Sequence, residues 1–285
     1  MPIIDMEGVH HVYELTPKPQ SSSPTLIFIH GWLLSRNYWQ PLVRLLEPEY
    51  QCLVYDLRGF GESQRTPSPS GKNNSSYTLA SYAQDLNVLL EKLGIERAWL
   101  LGHSLGGSIA LWGAKIFPQQ VQGVICLNAG GGIYLKEEFD RFRSVGQKLI
   151  EFRPPWLSSV PLIELVFARA MVARPLDIHW GRQRVIDFLA ADGEAAMGSL
   201  LESTTEKEVH RLPQIVSCLS QPIYFISGRE DKIMEPKHVR HLASFHPLFS
   251  RDGGNVVEIP NCGHLSMLEQ TEIVNSKILD ILNQH

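Results

Sequence analysis

Short, almost wholly apolar runs recur along the chain, and most are followed by a stretch with helical spacing. They are Thr25-Leu26-Ile27-Phe28-Ile29, Gln51-Cys52-Leu53-Val54-Tyr55, Ala98-Trp99-Leu100-Leu101, Val124-Ile125-Cys126-Leu127, Ile223-Tyr224-Phe225-Ile226 and Val256-Val257-Glu258-Ile259. They are too short for core helices and mostly lack the alternation of a strand with one wet face. Runs of this kind are strands covered on both faces, as in a parallel sheet. Helical patterns fall between them: Tyr38 to Leu46, Leu79 to Leu93, a stretch from Leu105 that must end before Pro118, Pro236 to Phe245, and Thr271 to Leu282. Thr78 and Gly94 read as the N-cap and C′ residue of the second. Repeated strand–helix units predict an α/β protein with a doubly wound, mostly parallel sheet. Val9 to Leu15 reads as an edge strand, and the polar stretch Thr66 to Ser76 as a surface loop.

The alternation stops between about Gly132 and Ser220, where the pattern is almost entirely helical. Phe139, Phe142 and Leu149 lie on one helical pattern, Leu162, Leu165, Val166 and Arg169 on a second, and Val185, Phe188 and Leu189 on a third, punctuated by Pro154-Pro155, Pro175 and Pro213. The expected organisation is a core from residues 1–131 and 221–285, with 132–220 as a helical cap lying over the carboxyl edge of the sheet.

Composition narrows the function classes. With 285 residues, 44% hydrophobic and 20% charged, the chain has ample material for one buried core. The net charge of −4, with both signs interspersed, argues against nucleic-acid binding and against a polybasic membrane patch. No apolar run approaches the ~20 residues of a membrane span. The start, Met1 to Gly8, lacks the basic residues and apolar core of a secretory signal. Cys52, Cys126, Cys218 and Cys262 are widely spaced without a Cys-x-x-Cys pair, so reduced thiols, a cytoplasmic location and no metal site are expected.

The chemistry centres on Gly102-His103-Ser104-Leu105-Gly106, where an apolar strand gives way to a helix. Gly-x-Ser-x-Gly arises by chance in roughly one chain in ten of this length, so its company decides its meaning. A serine on such a turn stands clear of the sheet, with the free N–H groups of the following helix beside it. It needs an imidazole base, and that base needs an orienting carboxylate. His264, in the loop Asn261-Cys262-Gly263-His264 after a strand, is the histidine placed where functional groups converge in an open parallel sheet. Asp231, in Gly228-Arg229-Glu230-Asp231 after the preceding strand, is the expected carboxylate, with Glu230 its rival. The end of the strand before that carries Asn128, which supplies no competing acid. His103 is expected to pack or hydrogen-bond behind the turn. The oxyanion donors are expected to be the backbone N–H groups of Leu105 and of Trp32, the latter in the loop His30-Gly31-Trp32. Asp56-Leu57-Arg58-Gly59-Phe60-Gly61 lacks the spacing and Lys-Ser/Thr ending of a phosphate loop and reads as a structural turn under that loop.

Together, Phe28 to Trp32, Asp56 to Ser63, Gly102 to Gly107, Gly228 to Asp231 and Gly263-His264 resemble the α/β-hydrolase superfamily. Dehalogenases and epoxide hydrolases of that superfamily carry an aspartate where this chain has Ser104, which argues against both. The His-Gly-Trp loop is similar to that of the cofactor-free haloperoxidase-like esterases. Glu269-Gln270-Thr271 departs from the many relatives that have a proline soon after this glutamate, a difference at the helix start.

The expected activity is hydrolysis of a carboxylic ester of an apolar small molecule or lipid through an acyl-enzyme, with Ser104, His264 and Asp231 as catalytic residues and no metal or organic cofactor. A thioesterase or C–C bond hydrolase would use the same residues, and a slow hydrolase-like receptor would retain them. Trp156, Phe167, Met171, Trp180, Phe188 and Met197 are candidates for the insertion's own core or for a pocket wall, with Trp156 and Met171 chosen as lining residues and Trp32 facing them from the sheet. Lysines and arginines of the insertion are balanced by acids, so no anionic substrate is expected.

Overall fold

A computed structural model describes residues 2–6, 8–20, 23–64, 76–130, 136–250 and 253–285, with the side chains of 136–139 outside that set. The loop expected at 66–76, the first residues of the expected cap and the Phe139 side chain thus fall, almost entirely, outside the described residues.

The strands are β1 (Ile3–Met6), β2 (Val9–Leu15), β3 (Thr25–Ile29), β4 (Cys52–Tyr55), β5 (Ala98–His103), β6 (Val121–Leu127), β7 (Ile223–Gly228) and β8 (Val256–Ile259). They form one eight-stranded sheet in the order β1-β2-β4-β3-β5-β6-β7-β8. Pairing is parallel from β4 through β8 and antiparallel for β1 with β2 and β2 with β4. Val9–Leu15 is therefore one place in from the edge. Ile3–Met6, too short and too exposed to give a clear pattern, pairs outside it.

The helices of the core are α1 (Gln40–Leu46), α2 (Leu79–Lys92) and α3 (Leu105–Ile116), and those after β6 are α4 (Lys136–Glu151), α5 (Ile163–Arg169), α6 (Ile178–Ala190), α7 (Gly193–Ser203) and α8 (Glu206–Cys218). Then come α9 (Pro236–Ala243), α10 (Ser266–Glu269) and α11 (Thr271–Leu282). Every residue of β3, β4, β5 and β7 is buried, because helices cover both faces. Leu86 of α2, Ile109 of α3 and Leu242 of α9 pack with Ile27 and Leu100 on one face. Leu42 of α1 and Ile278 of α11 pack with Phe28 and Leu101 on the other. The Thr78 side chain accepts from Ser81 N (3.1 Å) as the N-cap of α2, and Gly94 takes φ +65° just beyond its end.

Two features of the helical stretch differ from expectation. Helix α8 packs against α3 and α9, and its Leu212, Ile215 and Val216 join the core, so it flanks the sheet instead of lying over its edge. Pro213 lies inside this helix and does not interrupt it. The apolar face around Pro213 is buried, and that packing offsets the ~3 kcal/mol cost of an interior proline.

Candidate active site

The turn between β5 and α3 holds Ser104 at φ +53°, ψ −118°, a conformation that costs a non-glycine residue about 1–3 kcal/mol. The surroundings enforce it. A Cβ on Gly106 would run into the carbonyl oxygens of Ile29 and His30, and one on Gly102 into the backbone of Gly106 and Gly107. The Ser104 N–H donates to Leu127 O (3.0 Å), which ties the turn to β6.

The neighbouring loop is held by a histidine whose tautomer is set from both sides. His30 Nδ1 donates to Gly31 O (2.8 Å), and Nε2 accepts from Leu57 N (2.9 Å). Asp56 in turn accepts from Arg36 N (2.7 Å) and Glu62 N (2.9 Å). The turn Asp56–Gly61 is thus a structural brace under His30-Gly31. Among the described residues nothing accepts from the N–H of Trp32 or of Leu105. The Trp32 indole donates to Ala196 O of α7 (2.9 Å), so this side chain bridges the sheet edge and the helices above it.

Asp231 and His264 meet at the ends of β7 and β8. His264 Nδ1 donates to Asp231 Oδ2 (2.8 Å), which leaves the lone pair of the neutral ring on Nε2. Asp231 Oδ1 accepts from Ile233 N (2.8 Å) and Met234 N (2.9 Å), and Oδ2 also accepts from Asn128 Nδ2 (2.9 Å). Burial alone would raise the Asp231 pKa. The His264 charge and hydrogen bond, the Met234 N–H and the Asn128 amide outweigh it and hold the carboxyl below its ordinary value. Glu230 is exposed and accepts from Cys262 N (2.8 Å), away from the imidazole.

Two residues without a role assigned from sequence support this pair. Asn128, at φ +49°, donates to Asp231 and to Gly263 O (2.9 Å) and so joins the acid to the histidine loop. Read along the chain alone, it is only a place where an acid could stand. Glu269 accepts from Gly263 N (2.9 Å), Leu265 N (3.1 Å) and Ala173 N (2.7 Å). The His264 N–H donates to Met171 O (2.9 Å). Glu269 therefore clips the loop after α5 to the loop that carries His264.

His103 lies behind the turn. Its Nε2 donates to His264 O (2.7 Å), and burial, reinforced by the neighbouring His264, lowers its pKa to about 3. His11 is lowered to about 4, again by burial first. Their ordinary value is about 6.5, so below that pH the unfolded chain takes up protons that the folded one refuses. Stability is therefore expected to fall as the pH drops from about 6.5 towards 4, by up to about 1.4 kcal/mol per pH unit for each such histidine. Urea melts at pH 7 and pH 5 check this. An equal or higher midpoint at pH 5 would mean that these rings are solvated.

A cavity of about 580 Å³ lies above the turn and is lined by Ser104, Leu105, His264 and Trp32 from the sheet side. Helices α4 to α7 supply Phe142, Phe167, Phe188 and Leu200. Its size is that of a small-molecule site, and its wall is mostly apolar. Met171 lies on this wall. Trp156 does not: it stands 59% exposed on the 3-10 turn Pro155–Ser159, and Leu157 lines the cavity instead. Successive residues of such a turn point about a third of a revolution apart. Trp180 stacks on Tyr38 (5.7 Å), and Met197 packs on the core.

Among described residues no helix is long and apolar enough to cross a membrane. Known proteins share this architecture. A thermophilic esterase from Thermogutta terrifontis superposes with a TM-score of 0.74 at 24% identity, over 97% of this chain and 94% of that one. The enol-lactonase from Burkholderia xenovorans LB400 does so with 0.73 at 20% identity, over 99% and 100%. A curated protein of Stutzerimonas stutzeri named "Putative carbamate hydrolase RutD" is 27% identical over 284 residues, covering 95% of this chain and 96% of its own. The sequence profile of the alpha/beta hydrolase fold matches residues 24–196, more than half of the chain. With that match and an eight-stranded, mostly parallel sheet flanked by helices, the chain belongs to the α/β-hydrolase fold family.

Proposed function

We propose that the protein is a serine hydrolase that cleaves a carboxylic ester of a small, largely apolar molecule through an acyl-enzyme. The observation that carries this reading is the placement of Ser104 and the Asp231-bound His264 on the wall of one apolar cavity, beside two N–H groups without an acceptor. Ser104 Oγ attacks the ester carbonyl while His264 Nε2 takes its proton. The negative charge on the carbonyl oxygen is met by the N–H groups of Trp32 and Leu105, each such donor contributing about 2.7–4 kcal/mol. Asp231 stabilises the imidazolium. The tetrahedral intermediate collapses, the C–O bond breaks, and His264 returns its proton to the departing alcohol. Water then attacks the acyl-enzyme with His264 again as the base, releasing the acid and restoring Ser104. Helices α4 to α7 act as the cap, which excludes bulk water and supplies the apolar wall. A carbamate, the substrate class in the name of the Stutzerimonas relative, presents a carbonyl that the same groups can attack.

An alkyl fluorophosphonate is expected to label Ser104 covalently, because a histidine-activated hydroxyl attacks phosphorus as it does carbon. His264→Ala is expected to suppress labelling at least about 100-fold, the lower end of a general base's contribution. Mass spectrometry of the labelled peptide checks both. Labelling at another serine, or undiminished labelling in the variant, overturns the assignment.

A further inference from the structure

The cavity wall carries one feature that hydrolysis of an apolar ester does not use. Arg184, on α6, is only 5% exposed and lines the cavity. Among the described residues it is the only permanently charged side chain that does so. A buried cation is ordinarily paired with an acid, because desolvation is costly for an unpaired ion. No described acid lies within ion-pairing distance of Arg184. Asp187, one turn further along the helix, is already bound by Ser35 Oγ (3.0 Å) and Gln183 Nε2 (3.0 Å). Glu269 acts on Arg184 only through space, since its oxygens serve the backbone of two loops.

The guanidinium is half committed. Nη1 donates to Ala170 O (2.7 Å) and to Phe167 O, which caps the last turn of α5. The Nε–H and Nη2–H donors have no partner among the described residues, and neither nitrogen is sealed from solvent. Arg184 lines the cavity, and its guanidinium carbon lies 6.0 Å from the ring centre of Phe167, another residue of the same wall, which places the head group beside the enclosed space. Capping α5 accounts for Nη1 alone. A planar fork with free donors in an apolar enclosure matches a carboxylate, which accepts two parallel hydrogen bonds. The folded chain has already stripped most of the water from the cation, so the main desolvation left on binding is that of the arriving anion.

We propose that Arg184 is a carboxylate subsite and that the preferred ester carries a carboxylate at the end remote from the scissile bond. This rests on the serine-hydrolase reading of the same cavity, and it replaces the expectation that the substrate has no anionic group. A charge count over the whole insertion hides the point: Arg143 and Arg153 are also engaged with backbone carbonyls, but Arg184 alone among them faces the cavity.

The test uses matched p-nitrophenyl esters. One series consists of monoesters of adipic to sebacic acid, long enough to avoid self-cleavage by the free carboxylate. The other has a carboxamide in place of that carboxylate. At pH 7.5 and fixed salt, wild type is expected to favour the acid over the amide by about 10- to 100-fold in kcat/KM at one or two chain lengths, the range for a hydrogen-bonded charge pair. In Arg184→Gln that ratio is expected to fall to about 1 or below, and in Arg184→Lys to an intermediate value. The ratio is measured within one preparation, so a lower folded fraction cancels. No preference at any length in wild type overturns the proposal, and so does a preference that survives in Arg184→Gln. If Arg184→Gln does not fold, competition by the free diacids against the diamides in wild type decides. If Ser104 is not labelled and no ester is cleaved, the hydrolase reading fails by itself. The subsite is then judged by melting temperature, which diacids raise and diamides leave unchanged if the proposal is right.

Discussion

Ser104→Ala is expected to lower kcat for a p-nitrophenyl ester by about 10⁴- to 10⁶-fold while leaving a folded protein. The alanine removes only the oxygen. The strained turn is enforced by the neighbours of Gly102 and Gly106 and survives the change. Relief from a polar group at the cavity floor makes an unchanged or slightly raised melting temperature the expected accompaniment. A residual rate about 10³- to 10⁴-fold above water should persist, because the Trp32 and Leu105 N–H groups and the cavity remain. Burst kinetics on wild type and steady-state rates on the variant measure both quantities. A loss under tenfold would mean that another group delivers the nucleophile.

Asp231→Asn is expected to cost about 10⁴-fold in kcat, for a reason that lies in the hydrogen-bond geometry. Oδ1 accepts from the backbone N–H groups of Ile233 and Met234, which remain donors in the variant. The two backbone donors, which cannot rotate, hold the asparagine oxygen on that side, so its NH₂ faces His264 and also the Asn128 NH₂, a donor that has to turn away from it. His264 Nδ1 then has to accept, and the ring proton moves to Nε2, where the lone pair is needed. The variant is expected to show the drop in kcat with KM little changed, and slower phosphonate labelling in parallel. If Glu230→Gln has the larger effect, the acid has been misassigned.

The sheet is legible in the sequence because its central strands are buried on both faces. That burial leaves unbroken apolar runs, such as Leu26 to Ile29 in β3 and Ala98 to Leu101 in β5. Strand β1 is not legible, since Ile3 is exposed and Asp5 interrupts a run of only Ile3–Met6. The elbow at Ser104 can be read because steric crowding there demands glycine at fixed spacing, a constraint written in consecutive residues. Asn128 and Glu269 leave no such trace. Each acts by hydrogen bonds to segments distant in the chain, and nothing beside them in sequence reports those partners. Helices α4 to α7 can be counted, but which of their side chains turn inward depends on how they pack. Trp156 and Leu157 are adjacent and face different ways.

The Glu269 clip bears on how portable helices α4 to α7 are. The loop at Met171 to Ala173 shares a carboxylate with Gly263 and Leu265 and accepts the His264 N–H, so it is part of the histidine's mounting as much as of the roof. Helices α6 and α7 carry no such backbone tie to the histidine loop among the described residues. A transplant that exchanges residues 178–203 with those of a relative, and keeps an arginine at position 184 to hold the Phe167 and Ala170 carbonyls, can retune what the cavity admits and keep the imidazole in register. A transplant whose seam falls between 171 and 174 moves the imidazole as well, and its product should lose turnover on every substrate alike, whatever selectivity the donor segment once had.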